Sequence, residues 1–201
     1  MKNCLKISSV FKLLINASSG LLLLGVAHAE SYVVDSGHTF PVFEVEHFTF
    51  SIQRGLFTKT AGTIEYDAAS RKVSADITID AASVEMGLDE RNKVMRSDKF
   101  LNADKFPAIH FVIPEFQLSD VVKVNFIPGN LTLLGVTKPV TLAVQISCGK
   151  HPVLLHEVCG ANIEATIKRS DFGMNYGLPG IGDEINIITP VEAIKAVKAS
   201  H

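Results

Sequence analysis

No stretch of this chain is apolar for long enough to cross a bilayer. The longest unbroken run, Gly20 to Ala27, falls far short of the roughly 20 residues a helical span needs. There is no linker, no internal repeat and no low-complexity segment. No nucleophile motif, glycine-rich phosphate loop or paired-carboxylate spacing occurs, so covalent, phosphoryl-transfer and paired-acid chemistry lack their signatures. Cysteine is scarce, with three in 201 residues. A basic excess is also missing: 19 Lys and Arg against 21 Asp and Glu leave a net charge of -2, which argues against nucleic acid or an anionic membrane surface as main partner.

The start of the chain has an export pattern. Lys2, Lys6 and Lys12 are basic, Leu13 to Val26 is apolar but broken by Asn16, Ser18 and Ser19, and Ala27-His28-Ala29 places small residues where a signal peptidase cuts. Residues 1–29 therefore read as a signal peptide, against the competing reading of a retained anchor, which the short apolar run disfavours. No stable membrane anchor is expected. Cys4 lies ahead of the apolar run, where a lipid-attachment cysteine would have to follow it, so a lipoprotein is not expected either. Cleavage after Ala29 leaves residues 30–201 as a single domain. It removes three lysines and no acid, taking the net charge from -2 to -5.

In that domain the apolar residues recur mostly at every second position, the pattern of strands with one face buried. Near 40–49, Phe43, Val45 and His47 share a face. Val73, Ala75, Ile77 and Ile79 alternate with Ser74, Asp76, Thr78 and Asp80, the cleanest strand in the chain. Further strands follow at Gly62–Tyr66, Ala108–Pro114, Val121–Phe126, Ala161–Lys168 and Glu184–Ala193. Asn130–Ser147 reads as a hairpin turning at Gly135–Pro139, entered through a turn at Pro128-Gly129-Asn130, and Arg54-Gly55 marks a bend. Leu88, Val94 and Met95 fall at helical spacing among charged residues, so one short helix is expected near 88–96. The basic tail from Lys195 to His201 is expected to fray. Roughly eight strands with one helix predict an all-β antiparallel sandwich or barrel, whose interior is either filled by side chains or holds one slender ligand.

Three stretches carry a family resemblance. They are Met95-Arg96-Ser97-Asp98-Lys99-Phe100-Leu101, Asn130-Leu131-Thr132-Leu133-Leu134-Gly135-Val136-Thr137-Lys138-Pro139-Val140, and Ile167-Lys168-Arg169-Ser170-Asp171-Phe172-Gly173-Met174, with Asp35, His38, Phe43, Val45, His47 and Arg54-Gly55 upstream. Together they resemble the YceI-like polyisoprenoid-binding family, in order, from about Ser31 to Ala193. The resemblance implies an extended lipocalin-like antiparallel barrel, periplasmic in Gram-negative bacteria, around a long isoprenoid such as a polyprenyl phosphate or ubiquinone. No catalytic cofactor is implied. Pro41 departs from the family, which usually has a strand former there, and should sit at an edge or bulge. The two mature cysteines are not general in the family.

The expected ligand-binding residues are the inward apolar set Phe43, Val45, Phe57, Ile77, Ile79, Met95, Phe100, Phe111, Leu133, Leu142 and Ile167, together with His47. By periodicity alone these residues would equally fill a closed core; the family resemblance makes them a cavity wall. His47 either meets a quinone carbonyl or phosphate oxygen at one end of the tunnel, or is a core histidine satisfied by a neighbouring carbonyl. Arg96 and Arg169, each in an Arg-Ser-Asp triplet, are candidates for an anionic head group, against the plainer reading that the triplets cap turns and hold the rim together. Cys148 and Cys159 favour a disulfide in an exported chain. With His151 and His156 mirrored between them, a tetrahedral zinc site is the weaker alternative, so no metal is expected. His38, His47 and His110 with Asp35 make a thin acid-base set, and the Asn130-Leu131-Thr132 sequon is discounted in a bacterial context. The expected function is binding, transport or storage of an isoprenoid lipid or quinone without catalysis. An enzyme on such a lipid, a stress-induced envelope protein, and self-pairing into a homodimer stay open.

Overall fold

The computed structural model describes residues 29–197, so the expected signal peptide, save Ala29, lies outside the described residues. Eleven strands and one α-helix follow in order: β1 (Glu30–Val34), β2 (Val42–His47), β3 (Ser51–Phe57), β4 (Thr60–Asp67), β5 (Lys72–Asp80), β6 (Val84–Glu85), α1 (Asp89–Arg96), β7 (Ala108–Gln117), β8 (Asn125–Leu133), β9 (Val136–Lys150), β10 (Glu157–Lys168) and β11 (Ile181–Lys195). Eight of them close an antiparallel, lipocalin-like barrel in the order β1-β4-β5-β7-β8-β9-β10-β11, sealed by pairing of β1 with β11. The alternation seen in β5 and β10 explains the wall, because one apolar face per strand has nowhere to go but inward.

The seal is short. Tyr32 to Val34 pair with Lys195 to Ala193, so β1 covers only the lower end of β11. Higher up, β11 takes β2 as its neighbour instead, through Val45 opposite Ile185 and Phe43 opposite Ile187. The β2–β3 hairpin, the two-residue β6 and α1 then complete the upper wall. Lys195 is part of the lower seal: its Nζ lies 2.6 Å from carboxylate oxygens of both Glu30 and Glu157. The strand thus runs to Lys195, correcting the expectation of a frayed tail from that residue.

Glycine and proline mislead in three places, each for a packing reason. Gly55 makes no bend: β3 runs straight through it, and the Phe43 ring from β2 occupies the space a side chain there would need. Gly129 does the same for Phe111, so Pro128-Gly129-Asn130 is not a turn but the middle of β8. The hairpin turn is only Leu134-Gly135, both at positive φ (52° and 74°), and Val136–Pro139 already belong to β9. Pro139 is tolerated because β10 pairs β9 only from Ala143 to Lys150, leaving the upper part of β9 without a neighbour on that side. Val121–Phe126 is likewise no strand of its own: β8 begins at Asn125 and the residues before it are loop. Pro41 sits immediately before β2, its carbonyl accepting from the Phe57 amide at 2.9 Å.

Two chemically distinct interiors result. In the lower half Val73, Ile113, Ile127, Leu142 and Val144 interlock and are each less than a tenth exposed. The Cys148–Cys159 disulfide joins directly opposed residues of β9 and β10 at that end, with S–S 2.00 Å. In the upper half Phe43, Val45, Ile79, Ile185 and Ile187 stay half-buried although they point inward, because a cavity lies in front of them.

Candidate functional site: a cavity in the upper barrel

The cavity measures about 460 Å³, within the usual range for small-molecule sites. Its wall is built layer by layer: Ile79, Ile109, Leu131 and Leu133 from β5, β7 and β8, Ile167 from β10, Ile185 and Ile187 from β11, and Phe43, Val45 and Phe57 from β2 and β3. Beneath it runs the Ile77–Phe111–Leu131 cross-strand row, of which Leu131 reaches the cavity and Phe111 lies across the bare backbone of Gly129. Polar side chains gather at the top. His47, Gln53, Glu90, Arg91 and Tyr176 line the opening between α1, the β2–β3 tip and the 173–180 loop, and Arg91 Nη1 donates to Gln53 Oε1 at 2.8 Å across it.

Two buried polar residues hold that opening in shape. Asn92 Oδ1 accepts from the Met86 amide at 2.7 Å and its Nδ2 donates to Glu85 Oε2 at 2.8 Å, which pins α1 beside β6. The bond from Asn92 Nδ2, and then one from the Gly87 amide, hold the Glu85 carboxyl below its ordinary range. Helix charges suit the dipole, with Asp89 and Glu90 in the first turn and Lys93 and Arg96 in the last. Arg169 is 1% exposed and donates to four backbone carbonyls, those of Gly182, Met174, Tyr176 and Ile181, at 2.8–2.9 Å. It therefore ties the 174–182 loop over the rim, and burial pulls its guanidinium below its ordinary value despite Asp183 nearby. The next residue, Ser170, completes the knot by donating its amide and hydroxyl to Asp183 at 2.9 and 2.8 Å.

Nine of the expected ligand residues come together around the cavity: Phe43, Val45, His47, Phe57, Ile79, Met95, Phe100, Leu133 and Ile167. Three do not. Ile77 and Phe111 lie one layer down, packed against the core beneath the cavity, and Leu142 pairs with Ile127 deeper in the packed half. The reason is vertical position, since alternation reports which face a residue is on and not how high. Of the head-group candidates, His47 is at the mouth, with its ring edge-on to Phe48 at 4.6 Å. Arg169 borders the cavity but its donors are committed to carbonyls. Arg96 is absent from the wall and reaches the Ala82 carbonyl at 3.5 Å.

Sequence reasoning missed Gln53, Arg91 and Tyr176, which meet only through folding, and Ile185 and Ile187, whose alternation with Glu184 and Asn186 was readable. The thin acid-base set does not assemble: His38 pairs with Asp35 at 2.8 Å, His110 contacts Thr78 at 3.1 Å on the outer wall, and His47 faces the cavity. The disulfide takes both thiols that a zinc site would have used and leaves the His151 and His156 rings tilted against each other, centroids 5.4 Å apart. Among the described residues no helix is long and apolar enough to cross a membrane.

An eight-stranded barrel with an apolar hollow at one end has relatives. The sequence model of the YceI-like domain matches residues 32–193. The chain belongs to the YceI-like family. It is 33% identical over 184 residues to protein YceI of Salmonella newport, covering 89% of this chain and 94% of that one. Among solved structures, the YceI protein of Campylobacter jejuni matches with TM-score 0.68 and 29% identity over 76% of this chain and 90% of its own. A polyisoprenoid binding domain from Saccharophagus degradans shares the fold at TM-score 0.59 and 16% identity, over 83% and 99%. This YceI-like chain departs from the filled barrel in its upper half only, where the hairpin replaces β1 as the wall.

Proposed function

We propose that this protein is a periplasmic, non-enzymatic carrier or store of a long isoprenoid lipid of the polyprenyl phosphate or ubiquinone type. The observation that carries the reading is the cavity: apolar on its walls and floor, open at one end, with its polar side chains confined to the mouth. Each methylene buried there contributes about 0.8 kcal/mol, so a tail is held without a charged contact in the interior. The fold neighbour described as a polyisoprenoid binding domain supports the ligand class. The basic, apolar and small-residue order of positions 1–29 and the disulfide support export. His47, Gln53 and Arg91 are the residues placed to meet a head group, with His47 able to donate to a quinone carbonyl and Arg91 to an anionic oxygen.

Organic extraction of the purified protein followed by mass spectrometry tests this. A prenyl lipid at near-stoichiometric yield is expected from the wild type, and loss of it from Ile79→Trp, which fills the cavity. Repeatedly empty wild-type protein that also fails to take up added prenyl lipid would sink the reading. His47→Ala distinguishes the carrier from an enzyme, because a carrier shows weakened head-group selectivity and no turnover to lose.

A further inference from the structure

The mouth of the cavity is rimmed by apolar side chains that fold into nothing. Phe50, at the tip of the β2–β3 hairpin, is 87% exposed and its neighbour Phe48 is 50% exposed. Across the opening Val94 on α1 and Tyr176 on the rim loop are 46% and 49% exposed, and both also line the cavity. Val94 and Tyr176 therefore carry apolar surface from the outer rim into the interior, past the polar side chains of the opening. The hairpin tip is held in place: the Phe48 amide donates to the Gly180 carbonyl at 2.6 Å, and its ring covers Gly180. Phe48 and Thr49 hold positive φ of 50° and 61°, unusual for bulky and β-branched residues and found where a turn is fixed for use. Lys99 lies 5.0 Å over the Tyr176 ring, an aromatic with a cation beside it of the kind that sits at a bilayer interface.

We propose that this rim docks on a lipid bilayer, with Phe48 and Phe50 entering the acyl boundary, so that the cavity exchanges its ligand directly with the membrane. The inference rests on the lipid-carrier reading for its purpose, since a long isoprenoid has its reservoir in a bilayer and would otherwise cross water. The charges at the rim select the kind of surface. Glu90 offsets Lys93 at 3.0 Å, which leaves Arg91, held to the neutral Gln53 amide, and Lys99 as scattered single cations and not the cluster an anionic surface rewards, so the contact is apolar insertion into a neutral bilayer. The opposite end of the barrel also exposes apolar residues, Leu154 in a loop and Phe126 in β8 among them, at 63% and 69%. The question of access arises only at the rim, because the cavity is lined by residues of the upper barrel, and the lower end is the internal control.

The test is flotation of purified protein with zwitterionic phosphatidylcholine vesicles, together with transfer of a dansyl-labelled prenyl alcohol out of them. The wild type should float and Phe50→Asp should float at least fivefold less and transfer the alcohol correspondingly slower, while Leu154→Asp behaves as wild type. Phe50→Asp should still bind the same alcohol delivered from detergent, which shows that it is folded. Wild type that stays at the bottom of the gradient, or Phe50→Asp floating as well as wild type, overturns the docking. So does a dimer in light scattering that Phe50→Asp dissolves without any vesicle binding, because the rim then belongs to a second copy. Failure of the wild type to bind the alcohol from detergent strikes the carrier reading instead, and flotation lost in a Phe50→Asp variant that keeps the wild-type circular dichroism and melting temperature would still support the docking.

Discussion

Strands β5, β7, β8 and β9 each pass through both halves of the barrel, yet the lower half is packed solid and the upper half is hollow. Below the Ile77–Phe111–Leu131 row, eight strands close through β1, and an eight-stranded circumference leaves an interior that side chains fill. Above it β11 leaves β1 for β2, and the β2–β3 hairpin with α1 widens the wall. Residues of the same type then fail to meet across it. Ile127 is 1% exposed in one half, while Ile185 and Ile187 remain half-buried in the other. Cavity formation is here a consequence of who neighbours β11 and not of smaller side chains.

If that division is right, the halves should respond differently to substitution. The largest effect is expected where the rim is held by one side chain: Arg169→Met orphans four carbonyls at roughly 1 kcal/mol each, a loss of about 4 kcal/mol measured by denaturant unfolding. In the packed half Ile127→Ala should cost about 3 kcal/mol, because it opens a new hole. Ile185→Ala on the cavity wall should cost only about 1 kcal/mol, since it enlarges a space that already exists, but it should alter which tail lengths are retained. Equal costs for the two isoleucines would break the comparison. Replacing Cys148 and Cys159 by Ser opens a link spanning 11 residues and should cost about 2 kcal/mol with ligand loading unchanged, as it acts on the lower end alone.

The smallest effect is a pH dependence on the outer wall. Hydrogen bonds from His38 first and the Gly37 amide second hold the Asp35 carboxyl below its ordinary value, and the same bond to Asp35 raises the His38 imidazole above its own. The carboxylate's stabilisation is present above the ordinary aspartate value and fades as pH falls through the depressed one. The imidazolium's is complete below the ordinary histidine value and fades as pH rises through the raised one. Both operate together between roughly pH 4 and 6.5, so Asp35→Asn should lower the melting temperature more at pH 5.5 than at pH 8.5. A constant difference across that range would mean the pair contributes no net charge interaction.

Much of the barrel was legible because a strand's period is short and local. The faces of β5 and β10, the single helix near 88–96, and nine of the cavity residues follow from alternation and from the family motifs. Alternation carries no height, so Ile77, Phe111 and Leu142 were indistinguishable from Ile79 and Leu133. Glycine and proline were read as turns at Gly55, Gly129 and Pro139 because their other uses, close ring packing and a free strand edge, depend on residues far away in the chain. The short β1 escaped notice for a related reason: it has five residues, and its meaning lies entirely in pairing with β4 and β11.

By itself the sequence determined that each inward face would be apolar and that the segments would be strands, since side-chain spacing along one segment is enough to set both. Only the tertiary structure decided that the barrel would be full below and empty above. It brought Gln53 to Arg91 across 38 residues, spent the Arg169 donors on carbonyls of the rim, and left Phe50 in water beside the opening. Those outcomes depend on the circumference of the closed wall, a property of strand order that no single stretch of the chain contains.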